Sequence, residues 1–165
     1  MLRCTVLSLA VFTAQSLFAQ TTGPTVHTAT DLQQREAKLV ETAKASPNGL
    51  AVGRLDDYGN DYTLLIVRTR TGDAERHQFF ADQIVIKEGS ITLVTGGTLQ
   101  GEHANDAAGR PGETLGSSID GGKEVVLRAG DIIHIPAGIP HQSIEAPGQS
   151  IIIYVIKVQQ PQPPS

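Results

Sequence analysis

From residue 50 onward the apolar residues fall in short, β-branched runs, each stopped by glycine, aspartate or asparagine. The runs cover 50–55, 61–70, 83–88, 91–95, 124–128, 131–135, 141–145 and 150–158. Runs of this length between turn residues read as strands. Turn signals stand at Asp57-Tyr58-Gly59-Asn60, Thr71-Gly72-Asp73, Glu88-Gly89, Gly121-Gly122 and Pro147-Gly148, where antiparallel connections need them. No helical periodicity separates the strands, as a parallel sheet would require. The pattern predicts an all-β sandwich or small antiparallel barrel. One helix precedes it, within 28–47: Thr30 or Asp31 caps it, Leu32, Leu39, Val40 and Ala43 form a single apolar stripe, and Ser46-Pro47-Asn48-Gly49 stops it. Such a stripe suits a helix lying against a sheet.

Three segments fall outside this alternation. Residues 96–122 are rich in glycine and polar side chains and read as an extended loop. Residues 159–165, rich in proline and glutamine, cannot form a core and are expected to be disordered. At the amino end, Arg3 precedes a mostly apolar run, the layout of a secretory signal peptide too short to span a bilayer. Residues 1–19 are assigned to it, with cleavage after Ser16 or after Ala19. The barrel is assigned to 50–158.

Export predicts a periplasmic or secreted protein. It removes Cys4, the chain's single cysteine, so neither a disulfide nor a thiol nucleophile is expected. Cys4 also lies too near the start to be a lipoprotein attachment site. The 165 residues suffice for one domain with a core. The formal charge of −4, with no basic cluster and few aromatics, argues against nucleic acid as a partner. No later segment is long and apolar enough to cross a membrane.

Candidate chemistry begins at Gly130-Asp131-Ile132-Ile133-His134-Ile135-Pro136-Ala137-Gly138-Ile139-Pro140-His141. There a β-run enters a rigid corner and the next strand opens on a histidine, a position with little backbone freedom. A second cluster is Glu75-Arg76-His77 followed by Asp82. Residues two apart on a strand share a face, so Glu75 and His77 can converge, and Asp82, Ile84 and Ile86 share a face of the following strand. With His141 these side chains form a common donor set for iron, manganese, zinc or nickel as divalent ions. His134 is a candidate for lining the pocket and His103 for leaning over its mouth, while His27 precedes the helix. Arg68 and Arg70 share a strand face and can either meet a substrate carboxylate or face solvent. No glycine-rich phosphate loop, nucleophile elbow or zinc-protease helix is present.

These two pieces resemble the cupin superfamily. Its second motif is matched by Gly130, Pro136, Gly138 and His141 with the family's spacing, and its first by His77, four residues, Asp82, six residues and Gly89. Three positions depart from the family pattern: Glu75 replaces the first histidine, Asp82 the usual glutamate and Glu145 the final asparagine. The resemblance implies a cupin β-barrel of jelly-roll type with a central pocket. It also implies a divalent metal on His77, Asp82 and His141, with Glu75 as a further ligand, an acceptor for His77 or a general base. The implied partner is a small oxygen-rich molecule, acted on by a metal-dependent isomerase, lyase, decarboxylase or oxygenase, or held by a non-catalytic binding or sensing barrel. A homodimer is a further implication.

Overall fold

The computed structural model describes residues 23–105 and 112–161. The assigned signal peptide, Cys4 and the end of the tail lie outside the described residues. Helix α1 (Ala29–Ala45) leads into β1 (Leu50–Asp57), β2 (Asp61–Arg68), β3 (Ala74–His77), β4 (Phe80–Glu88) and β5 (Ser90–Thr95). The chain continues through β6 (Thr98–Gln100), β7 (His103–Ala104), β8 (Glu113–Gly116) and β9 (Ser118–Asp120). It ends with β10 (Lys123–Arg128), β11 (Ile132–Ile135), β12 (His141–Glu145) and β13 (Ile151–Gln159). No described helix is long and apolar enough to cross a membrane.

The pairings are antiparallel and build two main sheets, β1-β2-β13-β4-β11 and β10-β5-β12-β3-β8-β7, with β6 and β9 paired beside them. This is the jelly-roll arrangement expected from the sequence, with sheets that do not close into a full cylinder. Leu64, Ile84, Leu93, Ile135, Ile153 and Val155 pack in its core. On the other face of the first sheet, Leu65, Val67 and Ile152 meet Leu39, Val40 and Ala43 of α1. Strands β2 and β13 are therefore covered on both sides, which explains why they read as nearly continuous apolar runs.

The helix is capped earlier than the sequence suggests. Thr28 accepts a hydrogen bond from the Asp31 backbone N–H through its hydroxyl at 3.2 Å, which places Thr30 and Asp31 within the first turn. Tyr154 of β13 donates its hydroxyl to Glu36 of α1 at 2.9 Å, so the buried helix face carries one polar link.

The segment 96–122 is not a plain loop. It holds β6 to β9, and β8 pairs with β3 residue for residue. The glycines that disguise it are packing positions: a side chain on Gly116 would meet the Gln100 carbonyl at 2.8 Å, and one on Gly97, at φ +71°, would meet that of Asp120 at 2.3 Å. Order reaches into the segment expected to be disordered, because Gln159 pairs with Phe80 and the Gln160 backbone N–H donates to the Phe79 carbonyl.

Candidate metal centre

Three strands carry the four residues of the cluster. Glu75 and His77 lie two apart on β3, His141 opens β12, and Asp82 belongs to β4 of the opposite sheet. The corner before His141 is tied to its neighbours. Gly138, at φ +82°, adopts a conformation that favours glycine, and its N–H donates to the His77 carbonyl at 2.8 Å. The Pro140 carbonyl accepts from the Gly96 N–H at 2.8 Å. His141 and Glu75 are register partners, so one set of backbone bonds fixes both.

Glu75, His77, Asp82 and His141 each offer one ligand atom within 4.8 Å of the others. The Glu75 Oε1 atom lies 3.4 Å from His141 Nε2 and 3.8 Å from His77 Nε2. The Asp82 Oδ2 atom lies 3.5 Å from His77 Nε2 and 3.7 Å from His141 Nε2. Ligand atoms about 2.1 Å from a tetrahedral ion stand about 3.4 Å apart, so these separations suit a divalent transition metal. The histidine tautomers fit as well. His141 Nδ1–H donates to the Ile139 carbonyl at 3.1 Å, which turns the buried Nε2 toward the carboxylates without a hydrogen-bond partner of its own. His77 Nδ1 faces Glu113 Oε2 at 3.5 Å, an outer carboxylate of the kind that orients ligating histidines.

Two members escaped the sequence reading. Lys157, from β13, places Nζ 2.7 and 2.6 Å from the two Asp82 oxygens and 2.7 Å from His77 Nε2. The available signal was strand parity: Ile151, Ile153, Val155 and Lys157 alternate on one buried side of β13, an unusual place for an unpaired lysine. Glu113 was hidden in the segment read as a loop, and it also accepts a bond from the Asn105 amide at 2.6 Å.

Burial raises the proton affinity of Glu75, but the adjacent His141 and His77 rings outweigh it and hold this carboxyl well below its ordinary range. Asp82 is likewise lowered: burial opposes ionisation, while the His77 hydrogen bond and the Lys157 charge favour it. For His77, burial disfavours the imidazolium, yet the bonds to Asp82 and Glu75 raise its pKa from 6.5 to about 9. The Lys157 charge, with Nζ 2.7 Å from His77 Nε2, opposes that rise.

These side chains line a cavity of about 220 Å³, walled also by Leu64, Ile66, Leu93 and Ile153 and reached by Arg68. The remaining candidates lie elsewhere. His134 is exposed on β11 and His103 on β7, and His27 bonds Asp56 at 2.9 Å. Arg70 is exposed and donates to the Pro47 carbonyl at 2.8 Å. Glu145 is buried with its Oε2 unpartnered and lies outside the ligand cluster.

No family model matches the chain, and no curated protein does. Solved structures do. TT1209 from Thermus thermophilus is 14% identical with a TM-score of 0.50, over 70% of this chain and 89% of its own. A cupin 2 conserved barrel domain protein from Salinispora arenicola is 16% identical with a TM-score of 0.46, over 70% and 82%. An oxalate oxidase in complex with glycolate is 16% identical with a TM-score of 0.47, over 70% of this chain and 53% of that one, so this chain spans about half its length. With its two facing antiparallel sheets and interior cavity, the chain has the jelly-roll fold that the cupin resemblance implies, and TT1209 shares that fold.

Proposed function

We propose that the chain binds a divalent transition metal through Glu75, His77, Asp82 and His141 and uses it to hold, and act on, a small oxygen-rich molecule in the cavity. The observation that carries this reading is the His141 Nε2 atom, buried, without a hydrogen-bond partner and facing two carboxylates. A buried ring nitrogen between two carboxylates is costly unless a positive partner, a proton or a metal ion, completes it. Bound there, the metal would supply Lewis acidity to an oxygen of the ligand. Glu75 fits the role of ligand better than that of base, because a carboxyl held well below its ordinary range accepts protons poorly. The apolar walls exclude water from one side of the bound molecule, and Glu113 keeps the His77 ring in place.

The Lys157 ammonium supports a second reading, a binding barrel without catalysis. Lying 2.6 Å from Asp82, it already gives the carboxylates a cation. Metal analysis of untagged full-length protein separates the two after reconstitution with iron, manganese, zinc and nickel in turn. The first reading expects about one equivalent of one of these ions in wild type, lost in His77→Ala and His141→Ala. Equally negligible metal in all three proteins would end it.

A further inference from the structure

We propose that the cavity is built for a small carboxylic acid and that Arg68 is the residue that holds its carboxylate. This rests on reading the cavity as a ligand pocket and names the class of molecule it takes. On β2, Tyr62, Leu64, Ile66 and Arg68 all line the cavity, while the alternate residues Leu65 and Val67 pack beneath α1. Strand parity thus turns a guanidinium toward the same space as the ligand cluster.

A Cβ on Gly72 would stand 2.0 Å from Arg68 Nη1 and 2.9 Å from Cζ, so the guanidinium lies close against this glycine. The neighbouring arginines are committed. Arg54 pairs with Asp57 and lies over the Tyr62 ring, and Arg70 donates to Pro47. Arg68 forms no hydrogen bond or ion pair with a described residue. Glu145 feels its charge without pairing with it.

A half-buried guanidinium with its planar fork of donors unused matches a carboxylate in shape and charge. The walls favour a carboxylate over a phosphate. Asp73, Glu75, Asp82 and Glu113 also line the cavity, and their negative charge penalises a dianion more than a monoanion. Much of the remaining lining is aliphatic, with Leu64, Ile66, Ile91, Leu93 and Ile153. The molecule that satisfies all three parts is a short α-hydroxy or α-oxo acid, with a hydrocarbon body against these residues.

The test is calorimetric titration of the full chain with lactate, pyruvate, α-hydroxyisocaproate and α-oxoisocaproate, each beside its neutral amide, and with inorganic phosphate. Wild type is compared with Arg68→Gln and with Arg68→Lys, which keeps the charge and loses the fork. Metal content and thermal unfolding are measured on every sample. At least one acid should bind wild type about tenfold or more tightly than its amide. Arg68→Gln should abolish that preference and Arg68→Lys reduce it, with metal content and unfolding unchanged. The proposal is overturned if no acid is preferred to its amide, if Arg68→Gln keeps the preference, or if phosphate binds as well as the acids. If wild type holds no metal and the preference still depends on Arg68, the carboxylate site stands and the metal reading falls.

Discussion

Lys157 changes the character of the ligand cluster. With Nζ 2.6 Å from Asp82 and 2.7 Å from His77, it gives the metal-free protein an internal cation where a dication would bind. Removing one partner of a buried ion pair costs roughly 3 kcal/mol, whereas removing a positive charge beside a metal site favours the metal. Lys157→Met should therefore destabilise the metal-free protein by about that amount in urea unfolding, yet bind metal about tenfold or more tightly in chelator competition. Unchanged or weaker metal affinity would show that the ammonium does not compete. The same residues set a pH window for the metal-stripped protein. His77, raised from 6.5 to about 9, contributes stability that is complete below its ordinary pKa and lost as pH rises through about 9. Glu75 and Asp82, both lowered, contribute stability above the ordinary carboxylate pKa that is lost as pH falls through their folded values. Urea midpoints of stripped protein should thus form a plateau between the ordinary carboxylate pKa and the ordinary histidine pKa of 6.5, with losses on both sides, and a flat profile into alkaline pH would contradict the His77 assignment.

At the scale of elements, α1 is held to the first sheet by an apolar stripe and by the Tyr154 to Glu36 hydrogen bond. Burial, and then Glu36, pushes the Tyr154 phenol up to about 12, so the phenol remains a neutral donor throughout the ordinary pH range. Tyr154→Phe should lower unfolding stability by about 1 kcal/mol while leaving metal content unchanged. A coincident loss of metal would show that the helix and the cluster are coupled. The helix, its apolar face and most of the strands were legible because each repeats a local period. The strands of 96–122 were not, because glycines needed for close approach, such as Gly97 and Gly116, erase the alternation that marks a strand. The start of α1 was misplaced for a related reason: Thr28, Thr30 and Asp31 are all competent caps, and only the backbone angles at Thr28 select it.

For the molecule as a whole, the cluster joins the two sheets. Glu75, His77 and His141 come from one, and Asp82 and Lys157 from the other. A metal bound there is a staple across the interior, and binding to the folded state alone stabilises it by about 2.7 kcal/mol at a hundredfold excess over the dissociation constant. Thermal unfolding of wild type should shift upward with added metal and keep rising with its concentration, while His141→Ala should not respond. A shift of equal size in His141→Ala would place the metal elsewhere. The sequence by itself determined the fold class, the helix and the identity of four possible ligands, because strand parity and motif spacing are local and survive without coordinates. Tertiary structure alone decided that Lys157 and Glu113 join them, that His134 and His103 do not, and that Arg68 faces the cavity while Arg70 does not. Those outcomes depend on which faces of separate strands meet across the two sheets, a relation between residues as far apart as His77 and Lys157 that no local pattern encodes.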